Sequence, residues 1–413
     1  MTDLRDPLTL APLSRRPLGG GCAVWEGGSR VWPEVDGIPY LRVGRDELAD
    51  RVVSLLESGD AVTARAELLR DQDDFARQPP PTLEATLAIS REEPPTFREA
   101  MRRLEYGPVA HYFAHRTSTP TYLSGLALLH EVDPQNRLLE VCCGAGHFLR
   151  EIELRSEEWT VREGDDSDEF AVVTAGVDVV WSKLWLARTY LSVRGTLVCA
   201  DVCAGRLPFP NDAFNVGFCH DAIYFLPEKA AFLDDLRRAA GSLLIGHAHN
   251  RLADHGDVAG TPLSPGGYAA IAPKARFYDD AVAARVSLDD LAYEDGPVSH
   301  AACEADSLND CEAVCFAEWV DGADRGHLHG RSVYRRDDRR LRLNPLLVER
   351  GGQLVPDWPM PRFAEEYAGA DYLTGPVPTA EQVAKAAAGE WAGDPEMEDF
   401  VRRRTFIDLP ERW

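Results

Sequence analysis

Several residues in this chain have the types and spacing for chemistry, and they stand at the ends of apolar runs. The stretch Glu140-Val141-Cys142-Cys143-Gly144-Ala145-Gly146 follows Leu138-Leu139 and leads into His147-Phe148-Leu149. Gly144 and Gly146 permit the positive φ of a sharp turn. A turn between strand and helix also leaves main-chain N–H groups bare for a ligand. A dinucleotide fingerprint would need a third glycine where Leu149 stands, which disfavours a nicotinamide cofactor. Asp178 and Asp201 each close an apolar run, and a carboxylate there can accept from a ligand's hydroxyl or amine groups. His220-Asp221, with Tyr224, and His247-Ala248-His249-Asn250 close two later runs. An imidazole with its ordinary pKa of about 6.5 can take a proton at neutral pH; the plainer role is a hydrogen-bonded wall of the pocket. His247 and His249 also have the spacing of a metal-binding pair, but no third ligand is evident beside them and no metal is expected.

The elements that must position these groups follow from the periodicity. Residues 138–141 read as a buried strand, and residues 170–177 as a second one ending at Asp178, followed by a helix over 182–191. Residues 196–200 form a third strand ending at Asp201, residues 214–219 a fourth, 228–240 a helix and 242–246 a fifth strand. Strands separated by helical segments imply an α/β fold, a Rossmann-like, doubly wound and mostly parallel sheet. The acidic stretch 155–169 is expected to lengthen the first helix-to-strand link. Before the sheet, residues 45–69 carry helical spacing, 78–81 break it with three prolines, and 97–104 and 121–129 are helical again. Beyond Asn250, residues 262–273 read as loop, 279–291 as helix, 312–320 as a late strand and 379–390 as a helix. The run Arg335 to Arg340 reads as a solvated, salt-bridged hairpin.

Composition bounds the partners. Hydrophobic residues make up 45% and charged residues 27%, the balance of a soluble globular protein. With 44 basic and 68 acidic residues the net charge is −24, which repels a phosphate backbone and argues against nucleic acid. No run of about 18 apolar residues occurs, so no membrane span is expected, and nothing at the start resembles a leader. Nine cysteines without a C-x-x-C pair suit a cytoplasmic protein with neither a disulfide framework nor a structural zinc site.

Two resemblances add to this. Trp32-Pro33-Glu34-Val35-Asp36-Gly37-Ile38-Pro39-Tyr40-Leu41 resembles the ending of the small zinc-ribbon domains at the front of many methyltransferases. Their metal-binding C-P-x-C is matched here by Ala11-Pro12-Leu13-Ser14, so the ribbon is degenerate and metal-free, with Trp25 and Trp32 as core. The order of motifs from Leu138 to His247 resembles class I S-adenosylmethionine-dependent methyltransferases. Their E/D-x-G-x-G-x-G motif is matched by residues 140–146, with Cys142 in place of the first glycine. Leu207-Pro208-Phe209, ending in Phe214-Asn215, resembles a signature of the subfamily that acts on small molecules.

The resemblance implies S-adenosylmethionine as cofactor, held by Tyr112, Arg116, Glu140, Cys142, Gly144, Gly146, Asp178, Asp201, Val202 and His220. Asp178 would take the ribose hydroxyls, and Asp201 with Val202 the adenine. His220 and His247 would be the catalytic candidates facing a small-molecule acceptor, with Tyr112 to Arg116 closing over the ligand and residues 260–268 as a lid. The expected organisation is a ribbon-like segment over 1–45, helices over 46–110, a methyltransferase domain over 111–330 and an extension over 331–413. A catalytically silent subunit that binds a protein partner is the alternative, ahead of a nicotinamide-dependent oxidoreductase.

Overall fold

In the computed structural model the described residues are 3–73, 78–132, 137–163, 173–253, 260–288, 299–320, 326–329 and 339–413. The chain begins with a four-stranded antiparallel sheet of β1 (Ser14–Gly19), β2 (Cys22–Glu26), β3 (Trp32–Val35) and β4 (Ile38–Pro39). Trp25 and Trp32 are buried, and their indole N–H groups donate to Glu34 at 2.7 Å and to Asp6 at 3.1 Å. Asp6 also accepts from the backbone of Leu8, Thr9 and Ser29, tying two loops together. Burial acts to raise the Asp6 carboxyl, and these bonds, those of Ser29 foremost, hold it down at about 2.

The helices α1 (Asp46–Glu57) and α2 (Ala61–Leu69) divide a stretch whose spacing is helical throughout. Gly59 at φ +83° ends the first, and the Asp60 side chain caps the second by accepting from Thr63 N. The proline run hides α3 (Leu83–Arg91), which Thr82 caps. Then come α4 (Phe97–Arg103), α5 (Pro108–His115) and α6 (Pro120–His130), the last two opening on a proline whose missing N–H costs nothing there.

The main sheet starts at β5 (Leu138–Val141) and continues through α7 (His147–Glu163), β6 (Thr174–Asp178), α8 (Trp181–Tyr190), β7 (Thr196–Cys199), β8 (Phe214–His220), α9 (Lys229–Ala239) and β9 (Ala240–His249). After α10 (Pro265–Ile271) come β10 (Arg276–Asp279), α11 (Asp280–Leu288), β11 (Ser299–Ala301) and β12 (Ala313–Glu318). The order in the seven-stranded sheet is β10-β12-β9-β8-β5-β6-β7. Strands β7, β6, β5, β8 and β9 are parallel, and β12 runs antiparallel between β9 and β10. The fold is therefore α/β and Rossmann-like, with helices on a mostly parallel sheet. The strand order reverses between β5 and β8, which opens a crevice at their carboxyl ends.

Three expectations change. The acidic stretch begins as helix, because α7 runs on to Glu163; residues 164–172 lie outside the described residues, as do 170–172 of the expected second strand. The expected loop over 262–273 contains α10, since Pro265 stands at its first turn and Ser264 Oγ accepts from Gly267 N. The described end of the arginine run is split: Arg340 is exposed, but Arg339 is buried and pairs with Glu151 at 3.2 Å and Asp408 at 3.5 Å. Residues 335–338 of that run lie outside the described residues.

One contiguous apolar cluster runs from Cys22 to Phe406 and so passes through all four expected segments. The amino-terminal sheet meets the main one at its β7 edge, where Tyr40 bridges Cys199 and Leu41 N donates to Cys199 O at 2.7 Å. At the other end of the chain Trp413 stacks on Phe97 at 4.9 Å. Among the described residues no helix is long and apolar enough to cross a membrane.

Candidate functional site

The turn after β5 is left-handed at three positions: Cys142 at φ +59°, Gly144 at +54° and Gly146 at +77°. Asp178 at the end of β6 pins it, accepting from Gly144 N through Oδ2 and from Val180 N through Oδ1, both at 2.9 Å. Gly146 lies against α8, where a Cβ would come within 2.9 Å of Ala187 Cβ. Glu140 is buried beneath the turn and takes a backbone hydrogen bond from Leu149 in the first turn of α7, while its Oε2 has no partner. Burial raises its carboxyl to about 8. Asp201 stands on the next loop, accepting from Cys203 N at 2.8 Å and Ala204 N at 3.2 Å. Val202 beside it packs against the second apolar cluster. The backbone joins these loops, since Ala200 N donates to Asp178 O at 3.0 Å.

Sequence reasoning missed Lys183. It lies 3.7 Å from Asp178 and 3.6 Å from Asp73, with Phe113 5.8 Å away. Burial disfavours its charge, and the two carboxylates outweigh that, so its pKa is raised. Nothing in the local pattern distinguishes it from an ordinary helical lysine. Phe113 itself covers Gly144 so closely that a Cβ there would fall 2.8 Å from the ring. The α5 segment thus packs directly on the glycine turn.

The same segment carries Tyr112 and Arg116 to the ends of β8 and β9. Tyr112 and Tyr224 each donate to one oxygen of Asp221 at 2.7 Å. Arg116 lies 3.6 Å from Asp221, donates to Thr121 Oγ1 at 2.5 Å, and meets His220 Nδ1 at 2.6 Å. A guanidinium can only donate, so Nδ1 of His220 accepts and its proton sits on Nε2, buried and without a partner. The ring is held between Gly125 and Gly246, whose Cβ atoms would fall 2.7 and 2.3 Å from its Cδ2. Burial and then Arg116 push His220 well below the ordinary imidazole value. It is a neutral, committed acceptor rather than a poised base.

His247 differs in every respect. Its φ is +47°, and it belongs to a bulge in which Gly246 and His247 together oppose Cys315 of β12. Its Nδ1 bonds Asp280 at 2.9 Å, while its Nε2 is buried without a partner. Burial works against its charge, and the Asp280 and Asp221 carboxylates prevail, raising it to about 9. It is protonated at neutral pH, so the proton-acceptor role expected of His220 and His247 is not what this geometry favours for either. Asp221 is itself left-handed at φ +54°; burial opposes its charge, but His247 and then Arg116 hold it well below the usual carboxylate range. One donor atom from each of Asp221, His247 and His249 lies within 4.8 Å of the others, so the fold supplies the third ligand that sequence alone left unseen.

The segment 260–268, expected as a lid, is tied to the body of the fold at both ends. Thr261 N donates to Tyr224 O at 2.7 Å, and Tyr268 is fully buried with its hydroxyl on His249 O. Charges and hydroxyls from after residue 311 also reach the ends of β8 and β9: Glu312 and Glu366 act on His247, and Tyr367 on Arg116.

No family model matches the chain and no curated protein matches it. Among solved structures it is similar to a chain in the complex of the Haloferax volcanii Trm112 methyltransferase activator with a methyltransferase, at 12% identity over 51% of this chain and 92% of that one, TM-score 0.33. A SAM-dependent methyltransferase from Aquifex aeolicus is 16% identical over 50% of this chain and 95% of its own, TM-score 0.29. One from Mesorhizobium loti is 18% identical over 32% of this chain and 56% of its own, TM-score 0.24.

Proposed function

We propose that the chain is an S-adenosylmethionine-dependent methyltransferase acting on a small-molecule acceptor. The observation that carries this is the turn from Cys142 to Gly146, left-handed at three positions and tied through Gly144 N to the Asp178 carboxylate. It stands where the sheet order reverses, the place where such folds bind their ligands. In this reading the turn and Asp178 hold the ribose and amino-acid part of the cofactor, and Asp201 with Val202 borders the adenine. The cofactor supplies a methyl group on an already activated leaving group, so the protein's task is chiefly alignment.

That alignment falls to the network on the other half of the edge. Tyr112, Tyr224, Asp221 and protonated His247 present hydroxyl, carboxylate and cationic groups to an acceptor, while His220 orients Arg116. These groups are buried under α5 and the carboxyl-terminal extension, an enclosure that supports a small acceptor over a polymer. The net charge of −24 points the same way. Nine unpaired cysteines support a cytoplasmic setting.

Calorimetry with S-adenosylmethionine, its demethylated product and NAD tests the reading. The first two should bind at one per chain and NAD should give no heat. Tight NAD binding with no response to the sulfonium would overturn it.

A further inference from the structure

We propose that Asp221, His247 and His249 form a binding site for one divalent first-row transition-metal ion of the kind that imidazole ligands prefer, Zn²⁺ or Fe²⁺. The inference concerns metal binding alone and does not depend on methyl transfer.

The geometry comes first. The donor atoms of the three residues lie within 4.8 Å of one another. Bonds of about 2.0–2.1 Å would draw the donors to roughly 3–3.5 Å apart, a contraction of up to about 1.3–1.8 Å. His249 Nε2 already lies 4.0 Å from Asp221 Oδ1.

The second observation is the state of His247. Its Nδ1 is taken by Asp280, and its Nε2, whose proton a bound ion would displace to solvent, is left buried with no partner in a residue only 4% exposed. A ligating histidine characteristically gives its other ring nitrogen to a carboxylate, which fixes the ring and raises its basicity. Asp280 does this here, and Cys315 Sγ donates to its other oxygen at 3.1 Å, so the carboxylate is itself held in place. A buried nitrogen without a partner is destabilising, a cost that a bound ion would remove.

The third is backbone strain. Asp221 and His247 are both left-handed, at φ +54° and +47°, a conformation that L-residues other than glycine seldom adopt. The bulge at Gly246 and His247 is the device that places the ring, since an extra residue re-aims the side chains of a strand. Strain of this kind gathers at ligand sites.

Ligand chemistry selects the ion. Two imidazoles and one carboxylate suit zinc or iron, whereas magnesium and calcium take oxygen donors. Glu312 and Glu366 add negative potential at His247 that favours a dication. Three protein ligands also leave a coordination position open.

The full-length protein, stripped with a chelator, should be titrated with Co²⁺ while its visible d–d absorption is followed, then with Zn²⁺ in competition and Mg²⁺ as control. One Co²⁺ per chain is expected, displaced by one Zn²⁺ and untouched by Mg²⁺. His249→Gln should weaken Co²⁺ binding at least 100-fold, and Asp280→Asn, which leaves all three ligands in place, by about 10- to 100-fold. X-ray absorption of the zinc-loaded wild-type protein should show imidazole scattering, a readout that survives if a variant fails to fold. Failure of the wild-type protein to take up Co²⁺ or Zn²⁺ would overturn the proposal. So would undiminished binding in the folded variants, or a thiolate charge-transfer band showing the ion on cysteine.

Discussion

Cys142 occupies the first glycine position of the turn, and its φ of +59° is one that a side chain resists. Replacing it by glycine and by alanine isolates that strain. Both variants lose the thiol and its hydrogen bond with Cys219, so that loss cancels between them. Alanine keeps the left-handed penalty of about 1–2 kcal/mol, while glycine escapes it at an entropic cost of about 0.5–1 kcal/mol. Cys142→Gly should therefore be more stable than Cys142→Ala by roughly 1 kcal/mol, the reverse of their order at an ordinary strand or helix position. Urea unfolding followed by tryptophan fluorescence measures the difference. With m of about 3 kcal/mol/M the midpoints should differ by about 0.3 M. The same pair can be compared for S-adenosylmethionine affinity, which the glycine variant should retain. An alanine variant as stable as the glycine variant would refute the idea that the turn stores strain at this position.

Asp178→Asn should weaken S-adenosylmethionine binding by about 1.5–3 kcal/mol, the range for hydrogen bonds to a charged group; unchanged calorimetric affinity would give the ribose to another acid. Glu140→Gln should stabilise the protein at neutral pH. The folded carboxyl titrates at about 8 and the unfolded one at its ordinary value of 4.5, so the stability of the neutral folded form is fully present below 4.5 and is lost as pH rises towards 8. At pH 7 the variant should gain on the order of 3 kcal/mol, falling to nothing below pH 4.5; urea midpoints that run parallel from pH 5 to 8 would contradict this. Gly125→Ala should destabilise by about 1–3 kcal/mol even though alanine favours the helix by about 1. Its Cβ would meet Phe148 Cζ at 2.5 Å and His220 Cδ2 at 2.7 Å, and a thermal melt no lower than wild type would show that the His220 ring has room to move.

The sequence by itself determined the order of elements from residue 138 to residue 249, the glycine turn, and the placing of Asp178 and Asp201 after successive strands. Those follow from periodicity and turn chemistry, which act over a few residues. It also showed that Trp25 and Trp32 would be core in the first segment. What neighbouring residues cannot state is what lies across the fold. Thr82 and Ser264 start helices in stretches whose proline and glycine content reads as loop, because a cap and a first-turn proline make those residues compatible with helix. Lys183 and Arg339 look like surface cations until Asp178 and Glu151 are brought beside them.

The histidines make the point most sharply. His220 and His247 have the same intrinsic chemistry and similar places at strand ends, yet one is neutral and the other protonated. The difference is Arg116, delivered by α5 to the first, and Asp280, delivered by α11 to the second. The partner that turns His247 and His249 into a three-donor cluster is Asp221, just past the end of the neighbouring strand β8, while the bulge that re-aims His247 lies on the opposite side of β9, against β12, and sequence does not mark it. Protonation and donor geometry are set by contacts between distant segments, so only the tertiary structure could decide them.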